Sequence, residues 1–136
     1  MKKIIIFLII TYLLFTINTS AVNQNFNEND LENENILKIG VLVPLSGKFK
    51  EIGKSVLQAV QLGLIDLNES NIKIYPQDSK GNAEDAYLAA QEFQRLGVTV
   101  VIGPIFHESL KKINGINNIS FISLTNINQN LPNNTI

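Results

Sequence analysis

The stretch Lys38-Ile39-Gly40-Val41-Leu42-Val43-Pro44-Leu45-Ser46-Gly47 decides the fold. Its first six residues hold a short apolar run, as a buried strand does. Pro44 and Gly47 stop that run. From Gly53 the period changes, and Val56, Val60, Leu64 and Leu67 recur at helical spacing with Leu57 beside them. That pattern is one face of an amphipathic helix. A buried strand followed by such a helix is the opening of an α/β unit.

Downstream the alternation continues. Ile72-Lys73-Ile74-Tyr75 alternates and ends at Pro76, which suits an edge strand. Residues 77–81 read as a loop. Asn82 is a good N-cap for a second helix, with Glu84 and Asp85 at the positive end of its dipole. Ala86, Ala89, Ala90 and Phe93 form its inner face, and Gly97 fits its C-terminal cap. Val98-Thr99-Val100-Val101-Ile102 is β-branched and almost continuously apolar, and predicts a central strand buried on both faces. Gly103-Pro104 ends it. Residues 108–114 predict a short helix and residues 119–124 a fourth strand. The order β-α-β-α-β-α-β implies an α/β fold: an open parallel sheet with helices on both faces. Right-handed crossovers and an edge-like second strand favour the order 2-1-3-4. No fifth strand is legible, so the lobe reads as incomplete, with an edge that needs a partner.

Upstream, Lys2 and Lys3 precede an apolar run over residues 4–15, and Thr19, Ser20 and Ala21 follow. This is the layout of a signal peptide over residues 1–21, with cleavage after Ala21. The run is shorter than the roughly 20 residues a membrane span needs. An uncleaved membrane anchor and a buried helix are the other readings. Residues 22–35 are polar, rich in Asn and acidic, and predict a disordered linker. The lobe then covers residues 36–126, and residues 127–136 form a polar tail that reads as a truncation point.

Composition excludes several chemistries. The chain has 136 residues, enough for one small domain, and a formal net charge of −1. That balance gives no electrostatic reason to expect a nucleic-acid partner. No Cys is present, which rules out disulfides, thiolate catalysis, Cys-zinc sites and the lipid-attachment residue of a lipoprotein. The nearest approach to an enzyme motif runs from Gly47 to Ser55 and includes Gly53 and Lys54. A phosphate loop needs four residues between its glycines; five stand here, and Phe49 and Ile52 are bulky. Asp78 is the sole candidate for a magnesium carboxylate. No dinucleotide fingerprint follows the first strand. His107 is the single histidine, beside Glu108 at a helix start, and reads as a capping or surface residue. No catalytic residue, cofactor site or metal site is therefore expected, and the chain is not read as an enzyme. Asp78 lies just past a strand end, where open α/β sheets bind ligands. It also suits an Asx turn through Asp78-Ser79-Lys80-Gly81-Asn82.

These pieces resemble a known family. Ile39-Gly40-Val41-Leu42-Val43-Pro44-Leu45-Ser46-Gly47 and the helix after it resemble the start of type I periplasmic binding proteins of the leucine/isoleucine/valine-binding group. Asp78-Ser79-Lys80-Gly81-Asn82 resembles its second turn, and Val100-Val101-Ile102-Gly103-Pro104 its third strand and loop. The resemblance implies a Rossmann-like, flavodoxin-like N-terminal lobe. It also implies a second lobe and a ligand cleft between the two. Ser46, Asp78, Phe106, His107 and Thr125 would then be the ligand-binding residues, at the carboxyl ends of strands. Two branches fit. Residues 58–67, the Pro76-Gln77-Asp78 turn and Gly103-Pro104-Ile105-Phe106 look more like penicillin-binding-protein activators, which stimulate peptidoglycan synthases by contact. In that branch Phe106 would pack at the lobe interface; filling the core under the fourth strand is the alternative. The other branch comprises solute receptors that serve an ABC permease and bind a small amino acid. Either branch implies work in the periplasm.

Overall fold

The computed structural model describes residues 36–127 and 131–136. The expected signal peptide and linker lie outside them. Among these residues four strands and three helices alternate: β1 (Leu37–Val43), α1 (Lys50–Leu67), β2 (Ile72–Asp78), α2 (Ala83–Leu96), β3 (Val100–Ile102), α3 (His107–Lys112) and β4 (Ser120–Ile122). The sheet is wholly parallel, in the order β2-β1-β3-β4. Both the class and the order agree with the sequence reading.

The two faces of the sheet are covered unequally. In one row Gly40 pairs with Tyr75 and Val101, and Val101 with Phe121. This row faces α2 and α3. Phe93, Val101, Leu110, Ile113 and Phe121 are fully buried there with Leu42. Gly40 makes room for Phe93, because a Cβ at Gly40 would sit 2.9 Å from the Phe93 ring. In the next row Val41 pairs with Pro76 and Ile102, and Ile102 with Ile122. That row faces the opposite way, because side chains alternate along a strand. Exposure along it rises from 0% at Val41 to 39% at Ile122. A helix is about 10 Å across and strands lie about 4.8 Å apart, so one helix covers two strands. Among the described residues two helices serve the first face, whereas α1 alone serves the second. Val60, Leu64 and Leu67 of α1 and Ile39, Ile72, Ile74 and Ile102 of the sheet line an open apolar groove of about 510 Å³.

Several boundaries differ from the sequence reading. β2 runs through Pro76 to Asp78 instead of ending at Pro76. Its edge position explains this, since a proline costs no ladder bond on the open side. α1 begins at Lys50, three residues before Gly53. β3 is confined to Val100–Ile102, and only Val101 within it is fully buried, so the expected burial on both faces fails. α3 starts at His107 and ends at Lys112. The polar tail is partly structured. Thr135 bridges Phe121 in parallel, and the Asn134 side chain donates to the carbonyls of Ile116 and Ile119 at 3.0 and 2.8 Å. Residues 134–136 therefore lie along the β4 edge that was expected to be bare.

The α2 caps follow the sequence. The Asn82 side chain accepts from the Asp85 amide, and Gly97 closes the helix in the left-handed region at φ 70°. Lys38 donates to the Leu96 carbonyl at 2.8 Å, which adds a cation at the negative end of the helix.

Candidate functional site at the carboxyl rim of the sheet

Parallel strands present their carboxyl ends on one side of the sheet, and the loops that follow them gather there. Ser46 follows β1, Asp78 ends β2, Phe106 and His107 follow β3, and Thr125 follows β4. The structure brings Ser46 and Asp78 together. One oxygen of Asp78 accepts from the amides of Leu45 at 2.7 Å, Ser46 at 3.3 Å and Lys80 at 2.8 Å. Partial burial pushes this carboxyl up. The Ser46 hydroxyl and the amides of Lys80, Leu45 and Ser46 outweigh burial and hold it below its ordinary value. Asp78 thus closes the Asx turn to Lys80 and also fastens the β1 loop to the β2 loop.

Beside it lies an ion pair. Lys80 reaches Asp85 at 2.9 Å, and Asn82 donates to the same carboxylate. The Lys80 bond holds the Asp85 carboxyl low, with help from Asn82. Asp85 in turn pushes the Lys80 ammonium up.

Phe106 stacks on Phe49, with ring centroids 4.7 Å apart and planes tilted by 55°. Both rings lie against Gly81, where a Cβ would meet Phe49 at 2.8 Å and Phe106 at 3.5 Å. Gly81 has φ +76°, so a side chain there would also be strained. Phe106 therefore packs across the rim against the α1 entry, not into the core under β4. From the sequence alone Phe49 reads only as a bulky obstacle to a phosphate loop.

His107 is the first residue of α3, and Phe106, not His107, holds the cap position. The His107 Nδ1 atom is buried and has no hydrogen-bond partner among the described residues. Thr125 serves its own loop: its hydroxyl accepts from the Ile127 amide, and its amide donates to Ser123 Oγ. The Leu124 amide donates to the Pro104 carbonyl at 3.1 Å, which ties the β4 loop to the β3 loop.

The near phosphate loop does not form. Gly53 is inside α1 and packs on the Pro44 backbone, and the Ser55 hydroxyl donates to the Glu51 carbonyl. No cluster of metal-ligating side chains occurs among the described residues. No helix among them is long and apolar enough to cross a membrane.

A profile described as periplasmic binding protein matches residues 36–133. The chain belongs to the periplasmic binding protein family. A search of curated proteins gives no match. The lobe fold is shared with the leucine binding protein LivK of Thermotoga maritima, at 21% identity and a TM-score of 0.59, over 65% of this chain and 27% of that one. LivJ of Streptococcus pneumoniae, solved with isoleucine, gives 18% identity and 0.63, over 69% and 30% of the two chains. Full-length LpoA of Haemophilus influenzae gives 20% identity and 0.55, over 65% and 16%. The chain spans under a third of each of these family-like structures.

Proposed function

We propose that this chain supplies the N-terminal lobe of a two-lobed envelope protein that acts by contact, in the manner of a penicillin-binding-protein activator. Its partner would be a peptidoglycan synthase. The observation that carries this reading is the occupation of the rim by its own side chains. A free amino acid needs amides to receive its carboxylate. Here the amides of Leu45, Ser46 and Lys80 already donate to Asp78. A second carboxylate arriving there meets an ionised one, which repels it. The Phe49–Phe106 pair fills the neighbouring space with apolar surface. Among the described residues the sheet face beside α1 is one helix short, which supports a further part of the protein packing there.

A solute receptor for a branched-chain or other amino acid, delivering to an ABC permease, is the second reading. The buried, unpartnered His107 Nδ1 favours it, because a polar ligand group could satisfy that atom. Calorimetry of the two-lobed protein with a panel of amino acids separates the two. Absence of heat with every amino acid, together with capture of a peptidoglycan synthase, supports the activator. Micromolar binding of any amino acid transfers the assignment to the receptor.

In both readings the protein works in the periplasm after export directed by residues 1–21. N-terminal sequencing of the mature protein tests this. A mature start at Val22 supports cleavage after Ala21, and retained Met1 supports the anchor.

A further inference from the structure

We propose that the Asn114–Gly115 turn is a site of spontaneous covalent modification, in which Asn114 converts to aspartate and isoaspartate. The reaction is intramolecular. The backbone nitrogen of Gly115 attacks the side-chain amide carbon of Asn114, a ring closes, and ammonia leaves. Water then opens the succinimide at either carbonyl, giving aspartate or, with one extra methylene in the main chain, isoaspartate. The attacking nitrogen must be unhindered, unbonded and wet. Asparagine is abundant in this chain, so the question is which one meets all three conditions.

Gly115 is exposed and sits in the turn that follows α3, at φ +105°. A Cβ built on it would meet nothing within 4 Å, so no neighbour crowds the attack. The flanking amides of Asn114 and Ile116 donate to the carbonyls of Lys111 and Ile113, but the Gly115 amide has no such partner among the described residues. The Asn114 side chain is likewise exposed and unbonded among them. The two residues border a shallow depression of about 220 Å³, which they share with Asn117, Asn118, Asn133 and Asn134.

The asparagine that caps α2 and three of those around the same depression are less favourable. Asn82 caps α2 and bonds Asp85. Asn134 donates to two carbonyls, and Thr135 follows it. Asn118 precedes the branched Ile119, and Asn117 precedes Asn118. Asn114 is the one asparagine in the sequence followed by glycine. The product places a new negative charge beside the carbonyl end of α3, where the helix dipole already disfavours one. It also places the altered main chain two residues before buried Ile116.

Peptide mapping of the full chain tests the site. The protein is incubated at mildly alkaline pH and digested with trypsin. No Lys or Arg follows Lys112, so one peptide carries residues 113–136. The expected result is a gain of one mass unit in that peptide, resolved into two new chromatographic peaks, with fragment ions placing the change at position 114. Asn114→Gln removes both peaks. Gly115→Ala slows their appearance several-fold, because the added methyl obstructs the attacking nitrogen. An unchanged peptide overturns the proposal, as does a gain that falls equally on Asn117 or Asn118, or a rate that is the same in Gly115→Ala.

Discussion

Asp78 shows how one side chain can organise two loops. Three amides from two chain segments converge on a single oxygen. Asp78→Ala leaves those donors without their acceptor and lowers stability by about 1–3 kcal/mol. Asp78→Asn keeps an acceptor and costs less; denaturant unfolding of the two variants reads the difference. The carboxyls of Asp78 and Asp85 both sit below their ordinary value of 3.8 in the folded protein. Their contribution is therefore complete above that value and is lost as pH falls through the lower folded values. Melting temperature should hold steady in mild acid and drop below about pH 4. The drop should shrink in Asp78→Asn. Gly53 is equally constrained, by space instead of charge. A Cβ there would lie 1.8 Å from the Pro44 carbonyl oxygen, a backbone atom that cannot swing aside. Gly53→Ala should destabilise by about 3 kcal/mol or more, at the upper end for overpacking.

Among the elements, α2 was legible nearly to the residue, because every signal agreed: the Asn82 cap, the acidic first turn, the alanine face and Gly97. Asn82→Ala should cost about 1 kcal/mol, measured by thermal melting. β2 extends beyond its sequence-based end because Pro76 reads as a stop, whereas an edge strand tolerates it. β3 was read too long, since Val98 is buried by the α2 turn and not by strand pairing. The Thr135 bridge to Phe121 left no trace in the sequence, because its neighbours are polar and Asn-rich. At the rim, Asp78 was legible through turn chemistry and its place past a strand. Phe49 was not, since its partner Phe106 is distant in sequence. The buried atom of His107 was hidden too, because a lone histidine beside a charged residue reads as surface.

For the whole molecule, the uneven sheet matters most. α1 is 18 residues long, yet Leu62, Ile65 and Leu67 are 62, 70 and 62% exposed. The folded chain should enhance the fluorescence of a hydrophobic dye such as anilinonaphthalene sulfonate. Leu67→Lys, at the groove, should reduce that signal while changing stability by no more than about 0.5 kcal/mol. Loss of stability with unchanged dye binding would show that the dye sits elsewhere.

The strand order also sets a timetable. β1 is made first, yet it lies in the middle of the sheet, with β2 on one side and β3 on the other. No strand here meets its neighbour through a tight turn, because parallel pairing requires a crossover. Ile39 cannot pair with Val100 until both intervening helices have left the ribosome. Sheets closed by distant partners fold slowly compared with helical bundles. A growing chain of this kind cannot close its sheet until late in synthesis. Of the described strands, the first to emerge must wait for the third before both of its edges are paired.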